Sequence, residues 1–488
     1  MKTLFKKGIA FIALTLISVV LLFAEETPIN HLYSYTLDNG LSVFVAENHS
    51  APLVYIEVAV RTGAISQTPE NAGLFHLYEH MMFKGNPKYQ NAQAIQSACK
   101  SMGVPSWNGT TDVERVNYYF TVPTDQLEKG LEFWSYAIRE PLMDLKEFED
   151  EKKVVISEIQ GYFGKPDWQT MWYSEKALIP EAPWTYDPCG SVENVQNATV
   201  EQLKEIQKKY YIPNNAAVFV GGDVNPDEVY KLVDKIYGNW EEGEDPWKDE
   251  SEAFAANPLS APKYAVIPYD ECPPQLMQVE ITYRSADADY NLSDTYIADA
   301  FAKVTADPLG KYKNTILKNK KLQIPDSGYI WTSYALSRRH ASLTFAGVML
   351  NPSENPVNRV SDFYNTVMKK ALPAFQKDKS LEKTEKRNLF KQALIDNQAY
   401  ETESAKGLLT TLSYYWTSAT RDYYFNYLDN MLEIEKKDFD AFLNDYVYSR
   451  NPLITVYVNP AVYEQTKEAF AKAGYEEISA DNAFWWKK

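Results

Sequence analysis

Two stretches far apart in the chain read alike, and that echo constrains the fold more than any other feature. Tyr210-Tyr211-Ile212-Pro213-Asn214-Asn215 leads into the apolar run 216–220 and on to Asn225-Pro226. Late in the chain, Tyr446-Val447-Tyr448-Ser449-Arg450-Asn451-Pro452 leads into the run 453–458 and on to Asn459-Pro460. Each run has the length of a buried strand, and each Asn-Pro opens an amphipathic helix, 227–237 and 461–473. A chain of 488 residues has room for two such units, each with its own core. The repeat therefore predicts two homologous domains of mixed strands and helices, 25–240 and 263–488. Residues 241–262, rich in acidic residues, Ala, Pro and Ser and without apolar periodicity, are expected to link them.

The first domain carries the clearer local signals. Residues 32–47 read as a hairpin across Asp38-Asn39-Gly40, and 53–61 as a third, largely buried strand. Residues 108–111 and 116–122 read as a second hairpin. Helical periodicity covers 92–102, 126–139 and 148–163.

Between the third strand and the second hairpin lies Gly73-Leu74-Phe75-His76-Leu77-Tyr78-Glu79-His80-Met81-Met82-Phe83-Lys84-Gly85, with two of the chain's five histidines. On a helix beginning near Asn71, His76 and His80 project from one face, one turn apart. Two neutral imidazoles so placed form a preformed pair of zinc ligands, and Glu79 is within reach of a water beside them. The bland alternative is two histidines that happen to share a helix. The order His-x-x-Glu-His inverts the commoner zincin motif. In 148–163, Glu151, Val154, Val155, Glu158, Ile159 and Tyr162 recur with helical spacing. Both glutamates then share the face of valine and isoleucine, or sit one position off, at its solvated edge. A carboxylate on a core-facing stripe needs a cation or hydrogen-bond partner, and a two-histidine site still lacks its third protein ligand. The segment matching the histidine helix in the second domain, near 291–304, contains no histidine. One domain carries chemistry and the other does not.

A net charge of −17 argues against nucleic acid as a partner, since a phosphate backbone is repelled. Lys2, Lys6 and Lys7 precede an apolar run, 9–23, that ends at Ala24 before Glu25-Glu26. This is the pattern of a signal peptide, 1–24, and predicts export to a bacterial periplasm or the exterior. Leu22 is large for the position three before a cleavage site, so attachment to a membrane through an uncleaved leader is the alternative. Cys99, Cys189 and Cys272 are odd in number and widely spaced; all three are expected to be structural, with at most one disulfide among them.

With these residues in view, the chain resembles the pitrilysin and insulinase family of zinc peptidases, which includes the mitochondrial processing peptidases. The most specific parts are the stretch 73–85 and Glu151-Lys152-Lys153-Val154-Val155-Ile156-Ser157-Glu158. The resemblance implies an α+β fold of two homologous domains, each a mostly antiparallel β-sheet flanked by helices, together enclosing a chamber. It implies one Zn2+ per chain held by His76, His80 and Glu158. Glu79 would act as general base and Glu151 as a supporting catalytic carboxylate. Asn108-Gly109-Thr110-Thr111 resembles the family's edge strand, which implies substrate binding by Asn108, Gly109 and Thr110, with Gly109 replacing an alanine. The implied activity is hydrolysis of extended peptides or small unfolded polypeptides; the alternative is a non-catalytic or substrate-binding subunit of a heteromeric protease. Many members carry in the second domain an arginine followed seven positions later by a tyrosine. The nearest stretch here, Ile316-Leu317-Lys318-Asn319-Lys320-Lys321-Leu322-Gln323-Ile324-Pro325, offers Lys318 and Pro325 instead. That departure implies a heterodimer whose second subunit supplies the pair, with a homodimer, or a shifted match involving Tyr329, as alternatives.

Overall fold

The computed structural model describes residues 25–26, 29–248, 258–350 and 355–487. The expected leader, 1–24, and residues 249–257 of the expected linker lie outside the described residues. The first sheet contains β1 (Glu25–Glu26), β2 (Leu32–Thr36), β3 (Ser42–Glu47), β4 (Leu53–Val60), β5 (Trp107–Thr111), β6 (Val116–Pro123) and β7 (Ala216–Gly222), in the order β1-β2-β3-β7-β4-β6-β5. The second contains β8 (Lys263–Pro268), β9 (Leu276–Arg284), β10 (Ile330–Ala335), β11 (Ser342–Leu350), β12 (Leu453–Val458) and β13 (Glu476–Glu477), in the order β10-β11-β9-β12-β8-β13.

Read from opposite ends, the two orders coincide. β5-β6-β4-β7-β3 in the first sheet corresponds to β10-β11-β9-β12-β8 in the second. The parallel pair β3/β7 has its counterpart in β8/β12, and β7 and β12 are the two echoing runs of the sequence. Most other pairings are antiparallel, so the expected α+β class with two related sheets is what the chain adopts. The helix Leu292–Thr305 follows β9 as the histidine helix Leu74–Met81 follows β4. No helix among the described residues is long and apolar enough to cross a membrane. Cys99, Cys189 and Cys272 are buried free thiols.

One face of each sheet is covered by helices of its own half, around Phe75, Leu131, Trp134 and Val155 in the first and Phe301, Phe363 and Leu443 in the second. The opposite faces are covered by exchange. Helix Ala405–Ser418, from the second half, lays Leu408, Leu409, Leu412 and Trp416 on Phe44, Ala46, Tyr55, Ala59, Ala217 and Phe219 of the first sheet. Helix Pro166–Leu178, from the first half, lays Trp172, Tyr173, Ala177 and Leu178 on Ala265, Ile267 and Leu453 of the second. The first of these seats is so close that a Cβ at Gly221 would stand 2.6 Å from Leu409 Cδ1.

Polar groups pin the exchanged helix in register. Glu57, fully buried in β4, accepts hydrogen bonds from Tyr55 Oη (2.7 Å), Asn117 Nδ2 (2.7 Å) and, from the exchanged helix, Ser413 Oγ (2.6 Å). Arg61 stacks its guanidinium 3.9 Å above the Trp416 ring and donates to the Trp416 carbonyl at 3.1 Å. Three donors on the buried Glu57 carboxyl offset the cost of burying it.

Glu114 makes a second junction, accepting from Ser337 Oγ and the Arg338 backbone N–H. Burial pushes its carboxyl up to about 7, against the pull of those donors. The folded protein then keeps a proton that the unfolded chain releases near pH 4.5, so this group lowers stability progressively as pH rises from about 4.5 to 7. Glu114→Gln keeps an acceptor oxygen and removes the titration. The variant is expected to exceed wild type in unfolding free energy at pH 8 by on the order of 1–3 kcal/mol and to lose that margin by pH 4. Urea titrations at both values check this; a margin independent of pH would rule the account out.

Candidate active site

The histidine helix opens on Gly73, held at φ +93° because its backbone lies against the turn at Cys189 and Gly190; a Cβ there would meet the Cys189 carbonyl oxygen at 2.5 Å. Gln67 fastens the same end, accepting from Gly73 N–H at 2.7 Å while donating to the carbonyls of Trp184 and Asp187. Leu74, Phe75, Leu77, Tyr78 and Met81 are buried, which fixes the rotation of the helix. His76 and His80 therefore turn together toward helix Leu145–Phe163, with their ring planes at 88° and their Nε2 atoms 3.2 Å apart.

Three carboxylates surround the pair. Glu151 Oε1 lies 2.8 Å from His80 Nδ1, and Lys84 Nζ makes an ion pair with the other oxygen, Oε2. Glu158 Oε2 lies 3.6 Å from His80 Nε2 and 4.0 Å from His76 Nε2, while its Oε1 accepts from Tyr162 Oη at 2.8 Å. Glu79 Oε2 lies 4.0 Å from His76 Nε2. Glu79 and Glu151 are buried, and Glu158 is partly exposed.

Burial depresses His76 to about 3, and the neighbouring His80 pushes the same way. Burial also opposes a charge on His80, but the hydrogen bond to Glu151 and the carboxylates of Glu79 and Glu158 outweigh it and raise its pKa. Glu79 is pushed up to about 7, mainly by burial, with His80 acting in the opposite direction. Glu151 is held below the usual range, because His80 and Lys84 overcome its desolvation.

A dication fits this donor set. If His80 gives Nδ1–H to Glu151, its neutral ring presents a bare Nε2 lone pair toward His76. Two nitrogens each ~2.0–2.1 Å from one tetrahedral ion stand about 3.3 Å apart, close to the 3.2 Å found here. Among the described residues, Lys84 on Glu151 is the only lysine paired with these three carboxylates.

Among the described residues β5 is an open edge of the first sheet, hydrogen-bonded on one side to β6 and on the other to no strand. It runs directly across Glu79: a Cβ at Gly109 would stand 2.5 Å from Glu79 Oε1 and 3.1 Å from Phe83. Asn108 is exposed, and Thr110 Oγ1 hydrogen-bonds to Asn117. The edge strand and the imidazole cluster are thus adjacent. Lys318, Pro325 and Tyr329 occupy exposed positions in the second half, and no described contact joins them to the cluster.

One expectation shifts in detail. Val154, placed with the glutamates on the core stripe, is 51 % exposed; the buried residues are Phe148, Glu151, Lys152, Val155 and Ile159. The outcome lies between the two phases left open by the sequence: Glu151 faces inward while Glu158 stands at the edge. Sequence reasoning put Tyr162 on the glutamate stripe but gave neither it nor Lys84 a part in the site. The spacing of four residues between Glu158 and Tyr162 was the signal for their hydrogen bond.

Duplicated sheets, an inverted histidine–glutamate motif and an open edge strand define a two-domain α+β protein with a candidate metal site. The model described as insulinase (peptidase family M16) matches residues 42–172, and that for the peptidase M16 inactive domain matches 197–382. The chain belongs to the insulinase family, peptidase family M16. An uncharacterized zinc protease, YmxG of Bacillus subtilis, is 28% identical over 207 residues, 42% of this chain and 50% of that protein. Zinc protease PqqE of Helicobacter pylori is 28% identical over 207 residues, 42% of this chain and 46% of that protein. The mitochondrial-processing peptidase subunit beta of Dictyostelium discoideum is 26% identical over 204 residues, 42% of this chain and 43% of that protein. The chain spans about half the length of these curated relatives. Among solved structures, the first half of the periplasmic protease PqqL from Escherichia coli superposes with a TM-score of 0.72 at 16% identity, covering 93% of this chain and 96% of that one. Pitrilysin gives 0.67 at 18% identity, over 91% of this chain and 46% of that one. At such identities these two likenesses speak to the fold.

Proposed function

We propose that the chain is a zinc-dependent endopeptidase acting on extended peptides or small unfolded polypeptides. The observation that carries this is the gathering of His80 Nε2, Glu158 Oε2 and Glu79 Oε2 within 4.0 Å of His76 Nε2, beside an edge strand. One zinc ion per chain, held by His76, His80 and Glu158, would supply the Lewis acidity that polarises the scissile carbonyl and acidifies the attacking water. Glu79 accepts that water's proton on its carboxylate and delivers it to the leaving amine, a task suited to a group titrating near 7. Glu151 fixes the ring orientation of His80 from behind. The substrate backbone adds to β5 along Asn108, Gly109 and Thr110, so main-chain pairing sets affinity and peptide length outweighs side-chain choice.

Export to the periplasm or the exterior is part of the same proposal and is supported by the leader-like residues 1–24. A partner subunit bearing the arginine–tyrosine pair is supported by Lys318 and Pro325 standing in that stretch. Metal analysis of the purified chain is expected to give about one zinc per chain, the single site of a catalytic zinc protein. Internally quenched peptides are expected to be cleaved, to lose cleavage on chelation and to regain it with zinc. A chain that binds zinc yet cleaves no peptide, alone or with a related subunit, is instead a substrate-binding component.

A further inference from the structure

We propose that Lys84 is a positioning residue of the metal centre, acting on His80 through Glu151; this rests on the zinc assignment above. Glu151 is a buried carboxylate whose two oxygens are divided between two partners. Oε1 faces His80 Nδ1 at 2.8 Å, and Oε2 carries the Lys84 ammonium. A carboxylate with one oxygen unpaired can rotate and exchange its oxygens. An ammonium fixed on Oε2 removes that freedom and neutralises a charge that burial would otherwise penalise. Oε1 is then held where it accepts a hydrogen bond from His80 Nδ1–H, which keeps the Nε2 lone pair aimed at His76 and the metal position.

The backbone shows why Lys84 can do this. It sits in the turn that ends the histidine helix, its N–H bonded to the Met81 carbonyl at 3.1 Å. Gly85 follows at φ +144°, where a Cβ would stand 2.9 Å from the Gln90 carbonyl oxygen. The Gly85 carbonyl in turn accepts from Leu142 N–H at 3.0 Å, three residues ahead of the helix that carries Glu151. The turn holding the ammonium is thereby fastened to the base of the glutamate helix. Lys84 and Glu151 approach along a short fixed path, not at the end of a mobile loop.

The test is zinc affinity, measured by competition with a chelating indicator on the full chain. Lys84→Met is expected to weaken binding by about 10–100-fold, the usual cost of losing a partner behind a metal ligand. Lys84→Arg, which restores a cation, is expected to recover most of that loss. In a Glu151→Gln background, Lys84→Met is expected to change nothing further, since the route through the carboxylate is already cut. Wild-type affinity in Lys84→Met, or an equal loss in both backgrounds, overturns the proposal. Zinc binding unaltered by His80→Ala would instead overturn the zinc assignment, and this proposal with it. The Lys84→Arg recovery guards against a fold lost in the methionine variant.

Discussion

In Glu79→Gln, peptide cleavage is expected to fall by roughly 10²–10⁴-fold, the range that positioned proton transfer supplies, while the zinc content stays that of wild type. The glutamine keeps the shape of the side chain beneath Gly109, where Glu79 Oε1 and β5 are tightly packed, but cannot take up a proton. Glu158→Ala is expected to lose the metal and, with it, cleavage. The distances make this a real test, because Glu79 and Glu158 each place an oxygen 4.0 Å from His76 Nε2. Glu158 is singled out by its 3.6 Å approach to His80 Nε2 and by Tyr162, which occupies its other oxygen. Zinc lost from Glu79→Gln and kept by Glu158→Ala would exchange the two roles. Undiminished cleavage in Glu79→Gln would remove Glu79 from the chemistry.

The second large effect concerns the exchanged helices. Residues 25–248 expressed without the rest are expected not to form a cooperative fold. They would leave Phe44, Tyr55 and Phe219 bare, and Glu57 without Ser413. Residues 258–488 alone would lack the helix that covers Ala265, Ile267 and Leu453. Co-expression of the two pieces is expected to restore both cores. In the intact chain, Trp416→Ala strips the ring from Arg61 and Phe219 and is expected to cost about 3–5 kcal/mol, the usual range for deleting a buried aromatic. Near-ultraviolet circular dichroism and urea melting read both effects. A sharp, wild-type-like transition in the isolated 25–248 piece would contradict the exchange.

What the sequence made legible follows from how local each signal is. The hairpin of β2 and β3, the buried run of β4 and the capped helix Ala92–Ser101 declare themselves through turn residues and short periods. The pairing of His76 with His80 needs only one turn of helix. The repeat around β7 and β12 was readable because a parallel central strand leaves a continuous apolar run. The phase of the glutamate stripe was not: Val154 and Val155 are chemically alike, and only packing decides that one is exposed and the other buried. Nor was the exchange of helices. The stripe Leu408, Leu409, Leu412, Trp416 says that Ala405–Ser418 covers an apolar surface, but not whose. Lys84 was hidden because a lysine after a helix is usually solvated, and only the approach of Glu151 gives it a partner.

The exchange also sets a clock on synthesis. The first sheet has all its strands once Gly222 has emerged, yet the helix that seals its outer face begins at Ala405. At ~5–20 residues per second, the intervening chain takes roughly 10–40 s to make. For that interval the first half is a sheet with one oily face and a charge awaiting its hydroxyl. It stays open to chaperones or a translocation channel, and it can finish only after most of the second half has appeared.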